Sequence, residues 1–257
     1  MNALILAAGY ATRLYPLTLN KAKPLLEVGG KPIIERLVDR LAAISNLDTI
    51  FVVSNDKFAK DFQSWADNYQ RGKTKPKIKV INDGSTSDSD KLGAIGDINF
   101  VLSRENLAGT DLLIAAGDNL FSGSLEGFVD HARGTEATVA LYDVGDMQAM
   151  KKYASVTTDA DGVITQFEEK PQKPATTLAA IALYYYSRNI LPLFVTYLAS
   201  GNNPDQPGRF LQWLYKLKPV NTFEIKGLWL DIGSKETLEE ADKLIRTGAE
   251  PNSVPSH

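Results

Sequence analysis

The stretch ALILAAGYATRLYPLTLNKAKPLLEVGGKP, residues 3–32, carries the strongest structural signal in this chain. It begins with an apolar run, residues 3–8, whose length suits a buried strand. The run ends at Gly9, and the polar residues that follow include Arg13 and Lys23. Open α/β sheets bind ligands at the carboxyl ends of their strands, so a strand leading into a glycine-bearing, cationic loop is typical of an anion site. We expect a polyphosphate to bind here.

Composition excludes several classes of protein. The chain has 257 residues, which suits one large domain or two small ones. Its hydrophobic content of 44% and charged content of 23% are those of an ordinary globular protein. A net charge of −3 gives no indication of binding to nucleic acid or to a membrane surface. No apolar run approaches the ~20 residues of a membrane span and no signal peptide is recognisable, so we expect a cytoplasmic protein.

Two scarce residue types limit the chemistry. There is no cysteine, which excludes disulfides, thiolate catalysis and cysteine-ligated metals. The two histidines, His131 and His257, make a zinc centre or a Ser-His-Asp triad a poor hypothesis. A catalytic metal would therefore be held by oxygen ligands, which favours Mg²⁺.

Strand and helix signals alternate over the first part of the chain. Apolar runs predict strands at 3–8, 49–54 and 78–81, and helical spacing predicts helices at 33–44 and 57–69. This alternation is typical of a parallel sheet with right-handed crossovers.

The regular alternation of strand and helix signals does not continue into the carboxyl half of the chain. The turn sequence Asp-Ala-Asp-Gly at 159–162 predicts a hairpin between strands at 153–158 and 163–168. We therefore predict a mixed α/β fold, with an alternating amino half and a carboxyl half that contains a hairpin. It is expected to form a single domain over residues 1–248, followed by a flexible tail at 249–257.

Two aspartates follow apolar segments. Asp118 stands after the predicted strand at 111–117, and Asp231 lies in the sequence WLDIG, residues 229–233. Together, two carboxylates can hold Mg²⁺ and neutralise a transferring phosphate. Each alone is also a common helix cap or turn residue, and the sequence does not show whether the two meet.

The end of a later strand carries further candidates. Glu168, Glu169 and Lys170 stand where a lysine can meet a phosphate and a glutamate can accept hydrogen bonds from hydroxyl groups. A solvated strand end is the simpler interpretation of these three residues alone. The glycine loop itself matches neither the Walker loop nor the dinucleotide fingerprint.

Four motifs in order resemble those of the sugar-1-phosphate nucleotidyltransferases, or nucleoside-diphosphate-sugar pyrophosphorylases, over roughly residues 1–247. The family's first motif, Leu-Ala-x-Gly-x-Gly-Thr-Arg-Leu-x-Pro-Leu-Thr and then Pro-Lys, corresponds to LAAGYATRLYPLT and then Ala22-Lys23. The others are GDN at 117–119, FEEKP at 167–171 and WLDIG at 229–233. The likeness is greatest to the glucose-1-phosphate thymidylyl- and uridylyltransferases.

The resemblance implies a Rossmann-like α/β fold, with a mixed, mostly parallel sheet flanked by helices. It also implies an enzyme that couples a nucleoside triphosphate, with dTTP or UTP favoured, to a hexose 1-phosphate. Its products would be an NDP-sugar and pyrophosphate, and its cofactor Mg²⁺. The implied catalytic residues are Arg13, Lys23 and Asp118, and the implied metal ligands are Asp118 and Asp231. The implied nucleotide site comprises Ala8, Gly9, Tyr10, Ala11, Thr12, Arg13, Asn82, Gly93 and Asp118. The implied sugar phosphate site comprises Tyr153, Ala154, Glu169, Lys170, Tyr184 and Trp229.

The chain departs from the family pattern at several positions. Ala11 replaces the second glycine, which makes the backbone there less free. Ala22 replaces the proline before the lysine, a mild change. Ala154 and Ala182 stand where glycines are usual, so two extra methyl groups are expected to narrow the sugar pocket or change the hexose accepted.

Other functions stay open to test. A cytidylyltransferase for phosphocholine or another small phosphate ester would need acids or aromatic rings facing a quaternary ammonium. A non-catalytic regulator that senses NDP-sugar is disfavoured by the presence of Lys23, Asp118 and Asp231. A dinucleotide-dependent oxidoreductase is disfavoured because the glycine fingerprint is missing. No nucleic acid or membrane partner is expected, and a homo-oligomer is left open.

Overall fold

The computed structural model describes residues 1–248, so the predicted tail at 249–257 lies outside the described residues. The strands are β1 (Asn2–Leu6), β2 (Glu27–Val28), β3 (Lys31–Pro32), β4 (Thr49–Ser54), β5 (Lys77–Asn82), β6 (Leu112–Ala116), β7 (Asn119–Phe121), β8 (Ala137–Asp143), β9 (Ala154–Thr158), β10 (Ile164–Glu169), β11 (Leu178–Tyr186), β12 (Asn221–Glu224) and β13 (Trp229–Asp231). The α-helices are α1 (Ile33–Ala42), α2 (Ala59–Gln70), α3 (Ala94–Arg104), α4 (Glu126–Ala132), α5 (Leu193–Ala199), α6 (Pro207–Leu214) and α7 (Lys235–Thr247). None of the described helices combines the length and the apolar character needed to cross a membrane.

A nine-stranded sheet runs through the molecule in the order β10-β9-β11-β6-β1-β4-β5, with β8 beside β11 and β12 beside β8. Strands β6, β1, β4 and β5 are mutually parallel, as the alternating amino half predicts. Strand β11 runs antiparallel to β6, β8 and β9. Antiparallel pairing therefore belongs to the carboxyl half, where the strand–helix alternation of the sequence stops. The predicted mixed α/β class is confirmed.

The central strand β1 explains why helices cover the sheet on both faces. Ala3 and Ile5 belong to one core layer, which is completed by α1, α2 and α4. Leu4 belongs to the other layer, which is completed by α3, α5 and α6. All three side chains are at most 1% exposed. A strand that is buried on both faces must be apolar throughout, which is why residues 3–8 form a continuous hydrophobic run.

Turns account for the details of the carboxyl half. The predicted hairpin is confirmed, since β9 and β10 pair antiparallel. In its turn the Asp159 carboxylate accepts hydrogen bonds from the N–H groups of Asp161 and Val163, at 3.0 and 2.9 Å. A tight turn precedes helix α5, in which the Leu193 N–H donates to the Ile190 carbonyl at 2.9 Å.

Two short strands form the part of the fold that assembles the site. Strand β7 follows β6 after Gly117 and Asp118, and it pairs antiparallel with β13. In this register Asn119 lies opposite Asp231. Segments that lie about 110 residues apart in the chain therefore meet at the carboxyl end of β6.

Candidate active site

A cleft of about 420 Å³ opens at the carboxyl ends of β1 and β6. It is lined by the loop 9–14, here called the first loop, and by Lys23, Asp118 and Asp231 on the facing side. Asp88, Lys91 and Gly233 complete the lining. The loop predicted to bind an anion and the two predicted carboxylates therefore share one cleft.

The first loop has a strained backbone at Ala11, whose φ is +48° and ψ +44°. This left-handed conformation costs a non-glycine residue about 1–2 kcal/mol, which explains why glycine is usual here. Thr18, which is 1% exposed, donates a hydrogen bond from Oγ1 to the Ala11 carbonyl at 2.8 Å. The Leu14 N–H donates to the same carbonyl at 3.0 Å. Two hydrogen bonds therefore hold this residue in the conformation that the chain needs.

Two buried side chains anchor the loop to neighbouring strands. Asn55, fully buried after β4, donates from Nδ2 to the Ala8 carbonyl at 2.9 Å. The Tyr10 hydroxyl donates to the Ser85 carbonyl at 3.0 Å, and burial raises the pKa of its phenol. Tyr10, predicted as a nucleotide contact, thus uses its hydroxyl to hold the loop. Sequence reasoning assigned no role to Asn55, although it follows an apolar strand just as Asp118 does.

Two glycines, Gly117 and Gly9, shape the cleft because they have no side chain. A Cβ at Gly117 would stand 3.0 Å from the Leu6 carbonyl oxygen and 3.2 Å from the Pro24 ring, so glycine permits the close approach of β6 to the segment bearing Lys23. At Gly9, no heavy atom of the described residues other than Gly9 and its two chain neighbours lies within 4 Å of the position that a Cβ would take. The missing side chain at Gly9 is therefore not a packing requirement, and it leaves the cleft open above the backbone.

The β7–β13 pairing brings Asp118 and Asp231 together. The Ile232 N–H donates to the Asp118 carbonyl at 3.1 Å, which ties the two strand ends side by side. Lys23 forms an ion pair with Asp118, and these two side chains are 19% and 22% exposed. The structure thus settles the meeting of the two aspartates, which the sequence leaves open.

The electrostatics of this pair suit a cation. Burial raises the pKa of Asp231 to about 6; the nearby Asp118 carboxylate adds to the rise, and Lys23 opposes it. Within residues 1–248 no three acidic, histidine or cysteine side chains cluster in a way that suits a metal, so a cation would depend on these two carboxylates. Mg²⁺ fits such a set, because it commonly takes one or two carboxylates and completes its shell with water and substrate phosphates.

Asn119 connects the Asp118 carboxylate to the ring of Trp229. Its Nδ2 donates to Asp118 Oδ1 at 3.0 Å, and its Oδ1 accepts from Trp229 Nε1 at 2.7 Å. The Trp229 ring packs against Tyr142 and Tyr153, each at 5.4 Å between ring centroids. The indole thus orients the amide, and the amide orients the carboxylate. Sequence reasoning did not assign this role to Asn119, because the contact depends on the register of β7 with β13.

Four of the six residues predicted for the sugar phosphate form a group beside the cleft: Tyr153, Glu169, Lys170 and Trp229. Tyr153 packs edge-on against Trp229, and its carbonyl accepts from the Lys170 N–H at 3.0 Å. Burial, and then Asp231, raise the pKa of the Tyr153 phenol, which places the phenol near the cleft carboxylates. Burial also raises the pKa of Glu169. Lys170 has a φ of +49°, and strain of this kind persists mainly at functional sites.

The predicted base contacts flank the cleft rather than line it. Asn82 ends β5, and its Nδ2 donates to the Asp56 carboxylate at 2.7 Å. Gly93, with φ +78°, precedes α3 where a Cβ would stand 2.7 Å from the Pro204 carbonyl oxygen. Lys91, which does line the cleft, pairs with Asp88 and had no predicted role. The roles of Asn82 and Gly93 toward a base stay predictions.

Two predicted sugar contacts lie in the core. Tyr184 is 4% exposed, and its ring stacks on Tyr186 at 6.1 Å. Burial is the main cause that raises the pKa of the Tyr184 phenol, and Glu169 adds to it. Ala154 is 6% exposed, and its methyl group packs in the same core layer as Tyr184. Their contact with a sugar likewise stays a prediction.

Comparison with known families identifies the class to which this fold and cleft belong. The chain matches the family described as Nucleotidyl transferase over residues 2–248, and it belongs to that family.

Individual relatives lie at low identity. The chain is 27% identical over 248 residues to UTP–glucose-1-phosphate uridylyltransferase AglF of Haloferax volcanii, covering 96% of this chain and 97% of that protein. It is 25% identical over 245 residues to the bifunctional protein GlmU of Methanocaldococcus jannaschii, covering 95% of this chain and 54% of that protein. The chain thus spans about half the length of GlmU relatives.

A solved structure supports the fold. The crystal structure of a Bacillus anthracis protein, provisionally assigned as a glucose-1-phosphate thymidylyltransferase and bound to sucrose, superposes with a TM-score of 0.78. The match covers 98% of each chain at 22% identity. At this identity the likeness establishes the shared fold.

Proposed function

We propose that this protein transfers a nucleoside monophosphate from a nucleoside triphosphate to a hexose 1-phosphate, releasing an NDP-sugar and pyrophosphate. One observation carries the proposal: the first loop, the cations Arg13 and Lys23, and the Asp118–Asp231 pair share a single cleft. Phosphoryl transfer depends on positioning and on neutralising charge, and these groups supply both.

The first loop is suited to the triphosphate. Ala11 is left-handed and is followed by the right-handed turn Thr12–Leu14. Neighbouring residues of opposite hand turn successive backbone N–H groups into a concavity that binds anions. The open space above Gly9 leaves room for the phosphates, and Arg13 stands exposed beside it with a guanidinium fork that matches a phosphate.

The reaction needs no general base. An anionic oxygen of the sugar phosphate attacks the α-phosphorus, and the bond from that phosphorus to the bridging β-phosphate oxygen breaks. The electron pair leaves with pyrophosphate, where Arg13 and Lys23 stabilise the charge. Lys23 can exchange its ion pair with Asp118 for the β- and γ-phosphates. His131, the one histidine of the described residues, packs on Phe223 and does not line the cleft.

Asp118 and Asp231 are proposed as the residues that hold Mg²⁺. When bound, the ion would neutralise phosphate charge and help to align the two substrates. Asn119 orients Asp118 for this role, as partners of metal-binding carboxylates commonly do.

The neighbouring group is proposed to bind the sugar phosphate. Lys170 would pair with its phosphate and Glu169 would accept hydrogen bonds from its hydroxyl groups. Tyr153 and Trp229 offer aromatic surface next to Asp231. For the nucleotide, UTP or dTTP is proposed. UTP is supported by the relative AglF, which is named for its use of UTP and is matched over 97% of its length.

Pyrophosphate release in the presence of Mg²⁺ tests the proposal. The assay should cover dTTP, UTP, CTP, ATP and GTP against glucose, mannose and N-acetylglucosamine 1-phosphates and phosphocholine. Release with UTP or dTTP and a hexose 1-phosphate is expected. Release only with CTP and phosphocholine would replace the proposal with a cytidylyltransferase. Binding of an NDP-sugar without release from any pair would favour the regulator.

A matched pair of lysine variants tests the leaving-group role. Lys23→Gln should lower kcat by about 10²–10³-fold, by analogy with the loss of one oxyanion donor. Lys21→Gln is the control, because Lys21 lies two residues earlier, is 48% exposed and contacts Glu27 at 3.9 Å. Equal activity of the two variants would remove Lys23 from the mechanism.

A further inference from the structure

Two buried carboxyl groups lie beneath the first loop, outside the lining of the cleft. Asp83 follows β5 and Asp97 stands in the first turn of α3, and they are 9% and 6% exposed. Asp83 Oδ2 and Asp97 Oδ1 have no hydrogen-bond donor among residues 1–248. A buried carboxylate oxygen without a donor is costly, so the pair needs a proton.

The two side chains can share that proton. They lie within hydrogen-bonding reach of each other. Burial, and then the neighbouring Asp83, raise the pKa of Asp97 to about 8. Among the described residues Asp83 is the charged group that acts on Asp97. Of the two helices that pack against α3, α5 has no charged residue and α6 has one, Arg209. At neutral pH Asp97 is therefore the neutral acid and Asp83 its acceptor.

Asp83 continues the connection toward the cleft. Its Oδ1 accepts hydrogen bonds from the N–H and from the Oγ of Ser85, each at 2.7 Å. The Ser85 carbonyl accepts from the Tyr10 hydroxyl at 3.0 Å. Tyr10 stands between Gly9 and Ala11, whose backbone lines the cleft.

We propose that Asp97 is a positioning residue for the nucleoside triphosphate. As a neutral acid it donates a hydrogen bond to Asp83, and the chain Asp97–Asp83–Ser85–Tyr10 holds the first loop in its anion-binding conformation. The inference rests on the proposed function for the identity of its ligand.

Ionisation of Asp97 would reverse this effect. Two adjacent buried carboxylates repel each other. The charged groups that act on the Tyr10 phenol are likewise negative, namely Asp90, Asp83 and Asp56. The turn that carries Ser85 would then move away from α3, and the first loop would lose its Tyr10 anchor and keep that of Asn55. Affinity for the triphosphate should therefore fall as the pH rises through the pKa of Asp97.

The test compares the wild type with Asp97→Asn, which keeps a donor toward Asp83 and cannot ionise. For the wild type, KM for the nucleoside triphosphate should rise about tenfold from pH 7 to pH 9. One pH unit above the pKa of Asp97, about one molecule in ten keeps Asp97 neutral and can bind the triphosphate. In Asp97→Asn the KM should stay constant over this range, and kcat should change little in either protein. A wild-type pH profile in Asp97→Asn would overturn the inference.

A second measurement requires no turnover. Backbone amide hydrogen exchange of residues 9–14, corrected for the intrinsic effect of pH on exchange, should lose protection above pH 8 in the wild type and keep it in Asp97→Asn. Identical exchange in the two proteins would contradict the inference. If the exchange differs as expected but no substrate pair is turned over, the proposed function fails and the coupling of Asp97 to the loop stands.

Discussion

Replacement of Asn119 by alanine should destabilise the fold and release Asp118 at the same time. The amide of Asn119 is 2% exposed and lies between two partners, the Trp229 indole and the Asp118 carboxylate. In Asn119→Ala the indole N–H loses its acceptor in a place that water does not reach, since Trp229 is 7% exposed.

The size of the effect follows from the two hydrogen bonds. A buried donor left unpaired costs about 1–3 kcal/mol. The bond to Asp118 adds about 1 kcal/mol, since this carboxylate is 22% exposed and can regain water. The free energy of unfolding should therefore fall by about 2–4 kcal/mol, which for a chain of this size corresponds to a Tm lower by about 5–15 °C. On the proposed role of Asp118 as a Mg²⁺ ligand, turnover should fall about 10–100-fold, which is the usual loss for a partner of a metal-binding carboxylate.

A double-mutant cycle with Trp229→Phe isolates the indole–amide bond. Unfolding of both single variants and of the double variant is followed in urea and by calorimetry. The double variant removes donor and acceptor together, so its loss should be smaller than the sum of the single losses by about 1–2 kcal/mol. Asn68→Ala, at an exposed position on α2, is the control and should change stability by less than about 0.5 kcal/mol. Additive losses, or an Asn119→Ala loss as small as that of the control, would refute the reasoning.

Three further substitutions test separate parts of the site. Asp118→Ala should abolish turnover and lower Tm less than Asn119→Ala does, because Asp118 lies partly exposed at a strand end, where water can replace its bond to Asn119; near-normal Mg²⁺-dependent activity would contradict its role. Lys170→Ala should raise KM for the sugar phosphate more than KM for the nucleotide, and an unchanged dependence on sugar phosphate would place Lys170 outside the pocket. Ala11→Gly should stabilise the protein by up to about 1 kcal/mol by relieving the left-handed strain, whereas Ala43→Gly, at an ordinary φ of −74°, should destabilise it by about 0.5–1 kcal/mol. Equal losses of unfolding free energy in these two glycine variants would show that Ala11 is not strained.

Much of the architecture is readable from local pattern. The run at residues 3–8 predicts a strand buried on both faces, and the structure places it at the centre of the sheet with Leu4 in one layer and Ile5 in the other. The hairpin before and after Asp159 is equally local, because turn residues and alternation suffice to predict it. The first loop is also local, since the break at Gly9 marks the end of the strand.

The partners of the site residues are a different matter. Asn55, Ser85 and Asn119 hold the first loop and Asp118 in place, yet none stands out by composition or periodicity. Each depends on a hydrogen bond with a residue far away in the chain, Ala8, Tyr10 and Trp229 respectively. Sequence spacing contains no information on contacts over such a separation. Asp97 likewise resembles any acid in the first turn of a helix until its burial beside Asp83 is known.

The sequence by itself determined the buried strand at residues 3–8, the cationic loop after it and the restriction of any metal site to oxygen ligands. Through four motifs in order, it also determined the family. Tertiary structure alone decided that Asp118 and Asp231 meet, because β7 and β13 pair in one register across about 110 residues of chain. The physical reason is that the burial of a strand or helix and its hydrophobic periodicity depend on residues that are close together in the sequence. The choice of a strand's partner and register instead depends on the free energy of packing the whole chain.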